Sequence, residues 1–149
     1  MVSEKDPVRL FVSHAWEADA DYHRVFEYLE STAGFYYRNT SSPENRPSGD
    51  DEACKEVLRG QIRDCEAVVV LAGMYDRQRR WIDFEMHAAK AFDKPIIAME
   101  PFGGVQETPE DIRELADEVV EWNERSIVDA ILRQARHEDT QRWEVIDFP

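Results

Sequence analysis

Cysteine and long apolar runs are both scarce in this chain of 149 residues. The two cysteines, Cys54 and Cys65, fall in one predicted helical stretch, too far apart along its axis for a disulfide to join them. No segment has the charge pattern of a signal peptide or the apolar length of a membrane-spanning helix. The sequence therefore predicts reduced thiols and a cytoplasmic protein.

Basic residues are outnumbered by acidic ones, with 18 Lys and Arg against 32 Asp and Glu, which gives a formal net charge of -14. A surface of this sign repels phosphate backbones and anionic lipid headgroups. We therefore expect no nucleic-acid partner and no membrane partner. A small anionic ligand is still compatible with this charge, because a few backbone N–H groups or one arginine act at short range.

Glycine is missing from the loop that follows the first predicted strand, which reads SHAWE at 13–17. Its absence argues against the glycine-rich phosphate loops of Rossmann dehydrogenases and P-loop enzymes. The ends of the first and third strands also lack the acidic residues that a phospho-accepting receiver domain needs. Neither the two cysteines nor the histidines show a zinc-ligand spacing, so we predict no metal and no cofactor. The histidines are His14, His23, His87 and His137.

Strand and helix patterns alternate along the chain without internal repeats. The run AVVVLA at 67–72 is apolar throughout, as expected of a central parallel strand that helices cover on both faces. Short connections after such strands imply right-handed crossovers. We predict a single α/β domain over residues 1–149, a flavodoxin-like three-layer sandwich. Its five-stranded parallel sheet has the order 2-1-3-4-5, with helices on both faces.

Periodicity and capping residues set the predicted boundaries. Thr108 is predicted to cap a short helix that starts at Pro109, and Asn123 to cap the last helix. The core spans about 8–135, the segment 40–50 is an exposed loop, and the tail 136–149 either docks on the domain or adds an edge strand. Strands are predicted at 8–13, 35–39, 67–72, 94–101 and 119–122.

Trp81 and Glu85 stand one helical turn apart, shortly after the central strand. Residues at i and i+4 share a helix face, so this indole and this carboxylate flank one small volume. In the predicted sheet that volume lies at the switch point between strands 1 and 3, where open α/β sheets bind their ligands. We therefore predict Glu85 as the catalytic residue. The candidate substrate-binding residues are Phe11, Ser13, His14, Trp16, Asn39, Tyr75 and Trp81.

One acid among aromatic side chains fits the cleavage of an N-glycosidic bond. In a nicotinamide dinucleotide the leaving base is already cationic, so it departs neutral and needs no general acid. Glu85 alone can hydrogen-bond the ribose hydroxyls and face the positive charge that develops on the sugar. A preorganised charge of this kind is worth on the order of 3 to 4 kcal/mol.

Structural roles compete with this interpretation. Trp81 could simply pack on the sheet, as aromatic residues near a helix start usually do. Glu85 could be a solvated carboxylate paired with Arg80, and His14 an ordinary hydrogen-bonded loop residue. The local basic cluster of Arg77, Arg79 and Arg80 could attract a dinucleotide or sit on the solvated surface.

Several motifs together resemble a TIR domain over about residues 8–135. They are FVSH at 11–14, the loop after Asn39, the strand at 68–72 and Trp81-x-x-x-Glu85. The resemblance extends to the TIR-like group that includes the Thoeris antiphage subunit, since Trp122 and Asn123 precede the last helix. The loop 40–50, which mediates assembly and borders the site in TIR domains, follows no pattern that can be aligned.

This resemblance implies an NAD-cleaving hydrolase or cyclase that releases nicotinamide and makes ADP-ribose or a cyclic ADP-ribose isomer. Glu85 matches the family's catalytic glutamate. In Thoeris-like antiviral defence the product is a nucleotide signal. The implied partners are therefore NAD, a second subunit of the same kind reached through TIR-like surfaces, and an effector reached through the small-molecule product.

Two other functions fit the same residues. One is a TIR-like interaction module that recruits partners and catalyses nothing, which the long loop 40–50 and the net charge favour. The other is a nucleoside deoxyribosyltransferase-like enzyme, whose similar fold also sets a glutamate against an anomeric carbon. The residues are equally compatible with capture of the sugar cation by water, by an adenine nitrogen or by a ribose hydroxyl.

Overall fold

The computed structural model describes residues 2–17, 19–104 and 106–138. Strands and helices alternate, and each helix returns the chain to the start of the next strand. In chain order the elements are β1 (Val8–Val12), α1 (Ala20–Glu30), β2 (Tyr37–Asn39), α2 (Asp51–Asp64), β3 (Ala67–Leu71), a 3₁₀ turn (Ala72–Met74), α3 (Arg79–Ala91), β4 (Ile96–Met99), α4 (Glu110–Leu115), β5 (Glu118–Val120) and α5 (Glu124–Arg136).

The five strands form one parallel sheet in the order β2-β1-β3-β4-β5, which confirms the predicted fold. All five residues of β3 are buried, as its unbroken apolar sequence predicts for a central strand. From β1 the chain crosses to β2 at one edge of the sheet, and from β2 it crosses back over β1 to β3 in the opposite direction. Right-handed crossovers therefore place α1 and α2 on opposite faces of the sheet. α1 packs against α5, and α2 packs against α3.

Short polar side chains start three of the long helices. Asp19 accepts hydrogen bonds from the backbone N–H groups of Asp21 and Tyr22 at the start of α1. Asp50 caps α2 in the same way, and Asn123 caps α5 as predicted. These caps fix where each helix leaves the carboxyl edge of the sheet, which is the edge that carries the candidate site.

Several predicted boundaries differ from the structure. α4 begins at Glu110, because Pro109 itself occupies the cap position and Thr108 makes no capping hydrogen bond. β2 begins only at Tyr37, and β3 ends at Leu71 because the chain turns there into a 3₁₀ turn. β4 and β5 are also shorter than predicted, since they end at Met99 and Val120.

The loop 40–50 is only partly exposed. Ser41 is buried, and its hydroxyl lies 2.7 Å from the hydroxyl of Tyr22 on α1. The start of the loop is therefore packed against the domain, whereas the sequence predicts an exposed loop over all of 40–50. The tail 136–149 is predicted either to dock on the domain or to add an edge strand. Most of it, residues 139–149, lies outside the described residues. Among the described helices, none has the length and apolar character needed to cross a membrane.

Candidate active site

Glu85 lies on the buried face of α3, one turn after Trp81, and its side chain is 0% exposed. Its Oε1 accepts a hydrogen bond from the backbone N–H of His14 at 3.2 Å. Its Oε2 has no partner among the described residues. Burial raises the pKa of Glu85 well above its usual range, against a smaller opposing effect of the His14 N–H. Burial therefore favours the neutral form of this carboxyl group.

His14 follows β1 and is also buried. Its Nδ1 accepts the backbone N–H of Trp16 at 3.3 Å, so the ring proton belongs on Nε2. Burial lowers the pKa of His14 to about 4, against a smaller opposing effect of the nearby Gln61 side chain, which lies close enough to interact with the imidazole although the two make no hydrogen bond of ordinary geometry. The imidazole is thus neutral at physiological pH, with one N–H, on Nε2, that can donate a hydrogen bond.

Trp16 covers this pair. Its ring meets His14 edge-on at 4.7 Å between centroids, and Trp81 edge-on at 6.4 Å. The backbone of Trp16 has a φ of 64°, in the left-handed region that bulky residues rarely adopt. Strain of this kind persists only where the surrounding packing holds it, and it clusters at functional sites.

Four buried side-chain atoms lack a hydrogen-bond partner within the part of the chain that the structure describes. They are His14 Nε2, Trp16 Nε1, Gln61 Oε1 and Glu85 Oε2. All four belong to His14 or to residues that interact with it, and we call these four residues the Glu85 cluster. Because native proteins rarely leave buried polar atoms unpaired, such a group needs an explanation, and a functional role is one.

Two other predicted site residues support the cluster. The ring of Phe11 lies 5.6 Å from that of His14. Ser13 Oγ accepts the backbone N–H of Leu71 at 2.9 Å, and its own N–H donates to Val69. Ser13 thus ties the end of β1 to β3 and fixes the position of His14. Trp81 is buried and meets Trp16 edge-on, so it packs in the core directly beside the cluster.

Asn39 reaches the cluster through Tyr22. Its Nδ2 donates to the Tyr22 hydroxyl at 2.9 Å, and its Oδ1 accepts the backbone N–H of Ser41 at 2.9 Å. The ring of Tyr22 in turn meets His14 edge-on, with 6.4 Å between the centroids. This network connects the start of loop 40–50 to the candidate site.

The structure does not bring Tyr75 into the cluster. Its hydroxyl lies 2.7 Å from Asp83 Oδ1 and 3.0 Å from Asp111 Oδ2, in a separate network between α3 and α4. Asp83 is two residues away from both Trp81 and Glu85 on α3, which places it on the other side of the helix. Tyr75 therefore contributes to the attachment of α4 to α3.

The basic cluster predicted near the site is paired with acids. Arg77 binds Asp19 with 2.9 Å between the charged atoms. Arg79 binds Asp111, and Arg80 binds Asp51 at 2.6 Å. All three arginines are exposed, so this cluster belongs to the solvated surface.

Tyr22 and Gln61 are site residues that the sequence did not single out. Tyr22 falls in the apolar stripe of α1, where its ring suffices to explain its position. Gln61 lies on α2, next to Gly60, and no spacing relates it to His14. Only the packing of α1 and α2 around the end of β1 places them beside the cluster.

A cavity of about 270 Å³ opens beside the cluster and is lined in part by Trp16, Tyr22, Pro43 and Glu44. It lies between the loop after β1, the start of α1 and the loop 40–50. Glu85 does not line it. Trp16 does line it, and the same indole packs against His14 and Trp81. Among the described residues, no group of three or more His, Cys, Asp or Glu side chains could hold a metal ion.

Comparisons with known proteins give a family match and a structural match. Residues 11–105 match the family model described as Thoeris protein ThsB, TIR-like domain. Among solved structures, the CMP N-glycosidase BcmB of Clostridium botulinum is similar, with 15% sequence identity and a TM-score of 0.48. That match covers 83% of this chain and 96% of the glycosidase chain. No curated protein matches.

Proposed function

Because the chain belongs to the Thoeris ThsB TIR-like domain family, we propose that it cleaves NAD, releases nicotinamide and makes ADP-ribose or a cyclic isomer as an antiphage signal. The observation that supports this proposal is the Glu85 cluster, with its buried carboxyl group and four unpaired polar atoms. Glu85 is the catalytic residue in this proposal. NAD is the substrate, a second copy of the chain and a downstream effector are the partners, and no resident cofactor is needed.

The unpaired atoms of the cluster match a pair of sugar hydroxyls. Trp16 Nε1 and His14 Nε2 are donors, whereas Gln61 Oε1 and an ionised Glu85 Oε2 are acceptors. Each hydroxyl of a ribose diol donates one hydrogen bond and accepts others. Two donors and two acceptors suit such a diol, with the Glu85 and Trp16 atoms as its main partners, since His14 and Gln61 also lie close enough to interact with each other.

The charge of the substrate suits the protonation state of the site. A nearby cation favours the ionised form of a carboxyl group, so the pyridinium ring of NAD lowers the raised pKa of Glu85. The carboxylate then faces the sugar as positive charge moves onto it, in surroundings that screen this interaction far less than water does. Nicotinamide leaves neutral, which is consistent with a neutral His14 that offers no proton.

Access to Glu85 requires movement of Trp16. The carboxyl group is fully buried, and the neighbouring cavity is lined by Trp16 but not by Glu85. The left-handed backbone of Trp16 stores strain that an outward rotation of the loop releases. We infer that NAD enters through this cavity and displaces the indole, which then packs on the bound substrate.

Incubation with NAD tests the proposal directly. We expect nicotinamide release together with ADP-ribose or a cyclic isomer, identified by chromatography and mass spectrometry. The measurement should cover protein concentrations at which the chain self-associates, since assembly completes many TIR-like sites. NAD that stays intact at every concentration while a complex forms would favour the interaction module. Base exchange on deoxynucleosides with NAD untouched would favour the deoxyribosyltransferase-like enzyme.

Replacement of Trp16 by phenylalanine tests the match to the sugar diol. Phe keeps an aromatic ring but lacks the Nε1–H donor, so one hydrogen bond to the substrate is lost. A neutral hydrogen bond contributes about 0.5 to 1.5 kcal/mol, so we expect the KM for NAD to rise roughly two- to tenfold with little change in kcat. Steady-state kinetics of nicotinamide release measures both constants.

Tyr37→Phe is a suitable control for that variant, because it also removes one hydrogen-bond donor, here to Glu30 on the exposed surface. It should leave the KM unchanged. An unchanged KM in Trp16→Phe as well would show that the indole N–H does not contact the substrate.

A further inference from the structure

A second cleft lies at the same edge of the sheet, on the side of α1. It has a volume of about 420 Å³, which is large enough for a nucleoside moiety. The first turn of α1, the loop after β3 and the loop after β4 line it. We call it the Phe102 cleft; the residues used below are Asp21, Arg24, Gly73, Phe102 and Gln106.

The cleft has flat stacking surfaces. Phe102 is 44% exposed, which is unusual for a ring that has no evident role in the core. The guanidinium carbon of Arg24 lies 3.8 Å from the centroid of that ring, and Trp122 holds the ring edge-on at 5.4 Å. Nucleic bases stack on both aromatic rings and guanidinium planes.

The cleft also offers hydrogen-bonding groups at its base. Asp21 binds Arg24 through Oδ1, while its Oδ2 accepts no hydrogen bond from the described residues. This second oxygen lies against Gly73, where a Cβ atom would stand only 2.7 Å away. Glycine at position 73 therefore leaves room for the carboxylate. The amide of Gln106 adds a donor and an acceptor at the rim.

These groups suit a purine with an exocyclic amine. A carboxylate oxygen accepts from such an amine, and a glutamine side chain can pair with an adenine edge through one donor and one acceptor. The local charge is balanced, because Asp21 is paired with Arg24 and Asp19 with Arg77. The cleft therefore does not add to the repulsion of phosphates by this acidic protein.

We propose that the Phe102 cleft binds an adenine base and, given the proposed NAD cleavage, the adenosine half of NAD. Asp19 lines this cleft and Glu17 lines the cavity beside Trp16. Glu17 and Asp19 are two positions apart, and two residues of extended chain span at most about 7 Å. The Phe102 cleft and the cavity beside Trp16 therefore border the same short stretch of chain. A dinucleotide is long enough to occupy both, with nicotinamide towards Glu85 and adenine on Phe102.

Direct binding of AMP tests the cleft without reference to cleavage. We expect calorimetry to detect AMP binding to the unaltered protein, and to detect weaker binding of UMP, whose smaller base stacks less. Loss of an aromatic stacking partner costs about 1 to 3 kcal/mol per base, so Phe102→Ala should weaken AMP binding roughly 5- to 150-fold. Phe102→Tyr keeps the ring and should bind AMP normally.

Val119→Ala is the matched control, because Val119 is another exposed apolar side chain and does not line the cleft. It should bind AMP as the unaltered protein does. Circular dichroism of each variant reports whether the fold is intact. No AMP binding to the unaltered protein, or equal affinity in Phe102→Ala, overturns the proposal.

Kinetics extends the test to NAD. We expect Phe102→Ala to raise the KM for NAD by a similar factor without changing kcat, and to leave any turnover of nicotinamide mononucleotide, which lacks adenosine, unaffected. Equal losses with both substrates would contradict an adenine site. AMP binding without NAD cleavage would instead support the cleft and refute the proposed activity, so the two failures are distinguishable.

Discussion

The Glu85→Gln variant should release nicotinamide from NAD at least roughly a hundred- to a thousandfold more slowly than the unaltered protein. Glutamine preserves the size of the side chain and can accept the His14 N–H, but it cannot carry the negative charge that faces the sugar cation. Most of the loss should appear in kcat, since the charge matters most in the transition state, with a smaller rise in KM from the lost acceptor for the ribose hydroxyls. Initial rates at saturating NAD measure it.

Asp83→Asn is the matched control. Asp83 lies on the same helix and exchanges a carboxylate for an amide in the same way, but its side chain contacts Tyr75 rather than the Glu85 cluster. It should retain most of the activity. Turnover by Glu85→Gln close to that of the unaltered protein would remove Glu85 from the mechanism, whatever the products are.

The second large effect concerns the stability of the fold below pH 6.5. Burial lowers the pKa of His14 to about 4, whereas an unfolded chain protonates histidine near pH 6.5. Between these values the unfolded state binds the extra proton, so the free energy of unfolding falls as the pH falls. A shift of this size corresponds to roughly 3 kcal/mol lost between about pH 6.5 and pH 4.

Glu85 acts in the opposite direction. Its pKa is raised in the folded state, so the stability it contributes is present at low pH and is lost as the pH rises above its unfolded value. The His14 effect should therefore be measured by urea denaturation in a Glu85→Gln background. Adding His14→Gln should remove most of the pH dependence, whereas adding His23→Gln, at an exposed position, should not. An unchanged slope in the His14→Gln double variant would contradict the burial argument.

The sheet order and the place of Glu85 were predictable because both depend on local periodicity. Alternating elements and the apolar β3 determine the topology, and a four-residue spacing on α3 determines which face Glu85 shares with Trp81. Neither inference needs knowledge of distant contacts. The predicted five-stranded order is confirmed, whereas packing of Trp81 in the core is one of two roles that the pattern leaves open.

Other features depend on packing between distant segments. Val57 is an apolar residue of α2, a helix that buries Cys54, Leu58 and Ile62, yet it is 37% exposed. Tyr75 follows β3 closely, but the 3₁₀ turn directs its hydroxyl to Asp83 and Asp111. The backbone of Trp16 is in the left-handed region, which glycine and asparagine usually occupy. Because the loop 13–17 contains neither residue, no sequence signal indicates this turn beside Glu85.

The closed position of Trp16 has a quantitative consequence for ligand affinity. If only a small fraction of molecules hold the indole away from Glu85, the apparent Kd for NAD equals the intrinsic Kd divided by that fraction. A protein that binds the open loop from outside would then tighten NAD binding without touching NAD. By thermodynamic reciprocity, NAD would tighten the binding of that protein by the same factor.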